Sequence, residues 1–294
     1  MADKIDTRAV GLDVGLAFIR WLTGAENLHY GLWTGLAVTA GNLRAAQDAY
    51  TARLFGFLPE GRLRILDIGG GAGETAKKLL ALGHSVEIVV PSAFLAARCR
   101  ANAPGAVVHE CTFEAYAGAG PFDLCLFSES FQYIALADSL PKCARLLAPG
   151  GRVLIADCFR TEAYRGRAAH GPQPGGGHGL SAFRKALAES AFAVTAEEDI
   201  TEAVAPSIDL EQQFFNVLGH GLTRLSDEIS ARRPAAHWTL GRFIAVVLSQ
   251  RRRANLMRRL TGSDRTSAVF LRFNRYLILT LARKAPVAAQ AEHE

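Results

Sequence analysis

The stretch RLRILDIGGGAGETAKKLLALG, residues 62–83, decides the fold. Leu63 to Ile68 is a short aliphatic run of strand character; Gly69, Gly70, Gly71 and Gly73 follow, and Glu74 to Leu82 is composed of helix formers. Glycines at a strand-to-helix turn let the backbone approach a ligand closely, because no Cβ stands in the way and positive φ costs little. The ligand of such a turn lies over it. Many tight turns also carry glycine, so the surrounding chain has to discriminate.

Downstream, strand and helix signals alternate: strand Ser85–Val90, helix Ala93–Asn102, strand Ala106–His109, strand Phe122–Phe127, helix Leu136–Leu147 and strand Arg152–Cys158. Alternation of this kind predicts a parallel sheet with helices on both faces and a ligand at the carboxyl ends of the strands. In ARLLAPGGRVLIADCF a helix is stopped by Pro149-Gly150-Gly151 and followed at once by a buried strand.

These motifs resemble those of the class I S-adenosylmethionine-dependent methyltransferases. Asp67-Ile68-Gly69-Gly70-Gly71-Ala72-Gly73 is similar to the family's DxGxGxG loop, Phe122-Asp123-Leu124 to its fourth strand and Leu147-Ala148-Pro149-Gly150-Gly151 to its LxPGG turn, in family order over residues 60–158. A nicotinamide-binding Rossmann domain would leave the LxPGG turn unexplained. The resemblance implies an α/β fold with a Rossmann-like methyltransferase sheet, mostly parallel with its last strand antiparallel, and S-adenosyl-L-methionine as cofactor. It also implies four parts: an N-terminal helical lid at 1–58, a cofactor-binding core at 59–205, a helical cap inserted at 206–262, and the last strand and tail at 263–294.

In GHSVEIVVPSAF, residues 83–94, the family's ribose-binding acid falls on Val90, followed by Pro91 and Ser92. Glu87 lies three residues upstream, on the opposite face of a pleated strand, and is no substitute. The tocopherol C-methyltransferases and cyclopropane synthases also lack the acid, and ENLHYGLW (26–33) and FSESFQYI (127–134) are similar to segments of that branch; the branch's Glu-His after the fourth strand is here Gln132-Tyr133.

By the same resemblance Asp67, Gly69, Gly70, Gly71 and Gly73 hold the methionine portion of the cofactor. Val90, Pro91 and Ser92 border its ribose, and Cys111, Thr112 and Phe113 its adenine. Tyr30 reaches its carboxylate, and Ser128 is a further cofactor contact. Methyl transfer from a sulfonium needs in-line approach and, for a protonated nucleophile, removal of a proton. Glu129, Tyr133 and His29 are the candidate catalytic residues, Glu129 as base or charge partner, Tyr133 as substrate contact and His29 from the lid over the cofactor; a surface acid and a structural tyrosine are the alternatives for the first two. His170 and His178 flank a glycine-rich connection.

Composition narrows the partners. The 294 residues are 49% hydrophobic, and the five cysteines form neither a CxxC pair nor a zinc-spaced cluster, so no metal site and a cytoplasmic protein are expected. Residues 1–202 carry 19 Lys and Arg against 21 Asp and Glu, whereas residues 203–284 carry 14 against 5. The basic segment, with Leu240, Phe243, Ile244, Val247 and Leu248 at helical spacing, reads either as a solvated helix packed by its apolar face or as a contact for a membrane surface or an anionic substrate. A helical cap over an apolar pocket, a small-molecule substrate, no specific nucleic acid, and a monomer or homodimer complete the expectation. Non-methyl chemistry on the same fold, or cofactor binding without catalysis, remain alternatives.

Overall fold

The computed structural model describes residues 7–164, 166, 176–247, 249–262 and 265–284. Its elements run α1 (Thr7–Thr23), α2 (Leu43–Phe55), β1 (Arg64–Ile68), α3 (Glu74–Ala81), β2 (Ser85–Val89), α4 (Ala93–Asn102), β3 (Val107–His109), β4 (Phe122–Ser128), α5 (Leu136–Leu146), β5 (Leu147–Arg160), β6 (His178–Gly179), α6 (Leu180–Glu189), β7 (Phe192–Asp199), α7 (Thr201–Val204), α8 (Pro206–Arg232), α9 (Pro234–Val247), α10 (Gln250–Thr261), α11 (Ser267–Phe273) and β8 (Asn274–Arg283).

Parity along the strands builds two cores. Ile65, Leu124, Leu154 and Ile278 face one side of the sheet, while their neighbours Leu66, Cys125, Ile155 and Leu279 face the other. Side chains of successive strand residues point to opposite faces, so a continuous aliphatic run seals both layers of helices at once. Strand β7 instead alternates buried and exposed residues, as befits the edge. The order is β3-β2-β1-β4-β5-β8-β7, with β6 paired to β5. Strands β1 to β5 pair in parallel, and β8 runs antiparallel between β5 and β7. The chain reverses its direction of travel across the sheet at β1 and β4, which opens a crevice at their carboxyl ends.

Helix starts follow local chemistry. Ser92 caps α4, its Oγ accepting from Leu95 N at 3.3 Å, and Thr266 caps α11, its Oγ1 accepting from Val269 N at 3.2 Å. Pro206 begins α8. Glu87 turns away from the crevice and accepts from Arg64, His109 and Tyr116.

The inserted helices sit differently from the expected cap. The first turns of α8 are anchored through Ser207, Ile208 and Gln212, and Gly219 lets α10 approach so closely that a Cβ there would strike Leu260 O. At 27 residues α8 is ~40 Å long and outruns the core beneath it. Phe214 stacks on Phe18 of α1 at 3.9 Å and Phe215 lies under Arg259, but Trp238, Phe243 and Met257 are exposed. The side chains of Leu240, Ile244, Val247 and Leu248 lie outside the described residues.

Candidate functional site

The crevice at the switch point is a cleft of about 960 Å³. Of the residues singled out from sequence, His29, Asp67, Gly69, Gly70, Gly71, Val90, Pro91, Ser92, Thr112, Phe113, Ser128, Glu129 and Tyr133 line it; Tyr30, Gly73 and Cys111 do not. No described residue of 206–262, the expected cap, is among its walls; the segment Glu26 to His29 lines it.

The glycines of the turn serve different ends. A Cβ on Gly69 would collide with Ser130 Cβ, because the loops after β1 and β4 are drawn together by the Ser130 hydroxyl donating to Ile68 O. Gly71, at φ +56°, faces the open cleft, where a Cβ would meet only Leu28 Cδ1 at 3.6 Å. Gly71 is therefore the position where backbone lies bare to a ligand. Gly73 faces Cys99 and serves the packing of α3 on α4.

Asp67, 1% exposed at the end of β1, carries an Oδ2 with no hydrogen-bond partner. Burial pushes its pKa up to about 7. A buried carboxyl oxygen left without a donor is costly, and a ligand cation or N–H supplies what is missing.

Glu129 follows β4 with φ +58°, the one non-glycine residue in left-handed backbone among those described. Such strain persists where surrounding contacts enforce it. Here its N–H donates to Ala156 O at 2.8 Å, and its Oε1 accepts from Tyr30 N at 2.8 Å and Tyr276 Oη at 3.0 Å. Since Tyr276 donates to Glu129, Tyr50 donates to Tyr276 (2.8 Å) and Ser128 to Tyr50 (3.1 Å). With Oε1 accepting twice, Oε2 is left to carry the proton. Burial, reinforced by the nearby Asp157, lifts the Glu129 pKa to about 8 against the lowering effect of the Tyr30 N–H and the Tyr276 hydroxyl.

The Tyr30 ring packs instead on Phe270 and Tyr276, and only its backbone serves the site, through Glu129. His29 stacks on Tyr50, donates from Nδ1 to Tyr30 O at 2.8 Å, and is held neutral by burial, with its pKa pushed down to about 4. Tyr133 is 69% exposed at the rim. Gln132 staples the loop: its N–H and side-chain amide donate to Asp157, and its Oε1 accepts from Gly177 N. His178 Nε2 bonds the Phe131 and Ile134 carbonyls, away from the cleft; His170 lies outside the described residues. Val90 belongs to the apolar core, and the Ser92 hydroxyl is engaged as a helix cap.

Sequence reasoning missed Glu26, Tyr50 and Tyr276. Glu26 fastens the lid segment to α4, accepting from Arg98 Nε at 2.8 Å and Asn102 Nδ2 at 2.7 Å. Burial works to raise its pKa, but the bonds and charge of Arg98 and the Asn102 amide bring it net below the usual range. The bonds that place them, Glu26 to Arg98 and Asn102 and Tyr50 to Tyr276, join residues more than 70 apart in sequence, which no local spacing signals. Among the described residues no group of three or more His, Cys, Asp or Glu is placed to hold a metal, and no helix is long and apolar enough to cross a membrane.

Comparison with known proteins agrees with this geometry. Residues 66–155 match the family described as a methyltransferase domain. Over 106 residues, 34% of this chain, it is 37% identical to a ubiquinone biosynthesis O-methyltransferase of Caulobacter sp. (strain K31), and the match spans 42% of that protein's length. The cyclopropane synthase MmaA2 from Mycobacterium tuberculosis superposes with a TM-score of 0.66 at 17% identity, covering 92% of this chain and 95% of that one. The [4+2]-cyclase SpnF superposes with a TM-score of 0.63 at 16% identity, covering 94% and 96%. At these identities the structural likeness is one of fold.

Proposed function

We propose, from the premise that this chain carries a class I S-adenosylmethionine-dependent methyltransferase domain, that it transfers the methyl group of that donor to an apolar small molecule, lipid-like or aromatic. The carrying observation is the conjunction in one cleft of the bare Gly71 backbone, the unpartnered Asp67 Oδ2 and the strained Glu129. Those residues fit the donor. The buried Oδ2 suits its ammonium, and the open side of Gly71 suits an uncovered approach to its methionine portion. When bound, the donor supplies an electrophilic methyl on a positively charged sulfur.

The rest falls to the chain. Tyr276 and the Tyr30 N–H fix Oε1 of Glu129, so Oε2 either faces the cationic donor as a carboxylate or takes the proton of an acceptor hydroxyl, amine or activated carbon. A positive charge placed beside Glu129 lowers its pKa and ionises it at neutral pH. His29, neutral and hydrogen-bonded, orients the wall rather than carrying charge. Tyr133 at the rim is assigned to the acceptor. A volume near the upper end of the roughly 300–1,000 Å³ usual for small-molecule sites leaves room for an acceptor beside the donor.

A second reading keeps the fold and performs ring closure, the chemistry named for SpnF, whose likeness to this chain is one of fold. Incubation with methyl-labelled donor and separate lipid, quinone, phenol and RNA fractions distinguishes the two. Label in an extractable apolar product with formation of S-adenosylhomocysteine is expected. Donor binding with no label transferred to any fraction would overturn methyl transfer, and label confined to RNA would overturn the small-molecule acceptor.

A further inference from the structure

We infer that the outer faces of α1, α8, α9 and α10 form one docking face for an anionic lipid bilayer. Leu218, Leu222 and Leu225 recur on one stripe of α8 and are all exposed, as are Trp238 and Phe243 on α9 and Trp21 on α1. Trp21 and Phe243 are 78% and 66% exposed, values that a packed interior would not leave. Single exposed apolar residues are unremarkable; a set spread over several joined helices marks a partner surface. The helices are joined: Phe18 of α1 stacks on Phe214 of α8, and Gly219 of α8 admits α10.

Charge identifies the partner. Residues 229–263 contain eight arginines and neither aspartate nor glutamate. A second copy would bring this arginine-rich segment against itself, and nucleic acid would satisfy the arginines while leaving the leucine stripe in water. An anionic bilayer satisfies both, with apolar side chains in the acyl boundary and guanidinium groups among the headgroups. The Arg242 guanidinium lies 5.0 Å from the Trp238 ring centroid, pairing a cation with an amphipathic ring as an interface demands. Position matters too: α1 leads through Gly24 directly into Glu26–His29, the wall of the cleft, so docking places the cleft rim close to the lipid. This face is independent of which reaction the cleft performs.

The test is co-sedimentation of the full chain with phosphatidylcholine vesicles, and with vesicles in which roughly one third of the lipid is phosphatidylglycerol. Binding to the anionic vesicles alone is expected, and it should disappear near molar salt, where screening shortens to about 3 Å. Each arginine near such a surface contributes roughly fivefold, so the double variant R224Q/R242Q should bind about thirtyfold more weakly. Circular dichroism checks that it folds. In single-tryptophan variants, brominated acyl chains should quench Trp21 and Trp238 and spare Trp33, which is 4% exposed and serves as reference. Equal binding to neutral vesicles, or no quenching of Trp21 and Trp238, overturns the inference. So does a concentration-dependent dimer without vesicle binding, or RNA binding without it. Vesicle binding is read without turnover, so its failure leaves the proposed methyl transfer standing, and the converse holds.

Discussion

The cleft floor and the outer face of the inserted helices depart from a self-sufficient fold in opposite ways. At the floor, polarity is buried: Asp67 and Glu129 line the cleft at the ends of β1 and β4, Asp157 of β5 lies buried behind them, and Asp67 Oδ2 has no donor. On the helices, apolar surface is exposed beneath a run of arginines. Each costs stability unless something outside the chain completes it, and departures from local consistency concentrate where function lies. The missing complement differs: a small cation at the floor, an extended anionic apolar phase at the helices. The difference therefore separates chemistry from location, and variants should separate them as well.

The largest expected effect is at the floor. Gly71→Val places a branched side chain at φ +56° where the cleft is open, and S-adenosylhomocysteine should bind at least about 10²-fold more weakly by calorimetry, with vesicle binding unchanged. Unchanged affinity in the folded variant would remove the turn from the site; loss of both activities would show that floor and helices are not separable. Next, Glu129→Gln should lower turnover by roughly 10²-fold if Oε2 accepts a proton, with S-adenosylhomocysteine affinity nearly kept. In the parent protein kcat/KM for the donor should rise with pH through a midpoint near 8 and level off above it, because the acid of the donor-free site ionises at about 8. The variant should lose that rise. A pH profile of the same shape in both would return Glu129 to a structural role.

Much of the floor was legible because its constraints are local. Gly69 to Gly73 sit between one strand and one helix, and the Pro149-Gly150-Gly151 turn announces β5, so the parallel alternation and the ligand's side of the sheet follow from the chain read in order. What pairs with Glu129 was not legible, since Tyr50 and Tyr276 are separated by 226 residues and meet only through the assembled sheet. The inserted helices show a related limit. Helical spacing of apolar residues identifies a face but not what it meets, and α8 is too long for its whole face to lie on the core. Tyr30 shows the same limit at one residue: its place in ENLHYGLW is visible in sequence, its ring direction is not.

A smaller effect tests how much polarity the floor holds. Asp67, Glu129 and Asp157 have folded-state pKa values of about 7, 8 and 7, raised first by burial, so the native state binds more protons than the unfolded chain between about pH 4 and 8. Their contribution to stability is fully present below the unfolded values and is lost as pH rises through the folded ones. Glu26, Asp48 and Glu87, whose values are lowered, reach their full stabilising contribution near pH 5 to 6 and offset nothing above it. Melting temperature should therefore fall from pH 6 to 8.5 at about 2–4 °C per kcal/mol. Glu129→Gln should make the slope shallower. A Tm that is flat or rising over that range would mean that the three carboxyls are paired by water or rearrange.

The smallest effect concerns the ribose side of the floor, where Val90 stands in place of the family's acid. Val90 is packed in the apolar core and the Ser92 hydroxyl is occupied by Leu95 N, so neither presents a charge to the cleft. A hydroxyl bonded to a charged partner contributes roughly 1.5–3 kcal/mol, against about 1 kcal/mol for a neutral one. S-adenosylhomocysteine and its deoxyribose analogue should thus differ in Kd by about tenfold or less, the equivalent of about 1.4 kcal/mol. A difference beyond about a hundredfold, some 2.7 kcal/mol, would require a charged group on the ribose, and Glu26 and Glu114 are lining acids to substitute next. Glu26 is the less suited of the two, because Arg98 and Asn102 already hold its carboxylate. Glu114 follows β3 and is exposed, free to turn toward a ligand. Glu114→Gln should leave both dissociation constants within about threefold if the grip is neutral, since an exposed acid that touches no ligand changes little. A selective loss for S-adenosylhomocysteine over its deoxy analogue would instead identify Glu114 as the acid moved from the second strand to the third.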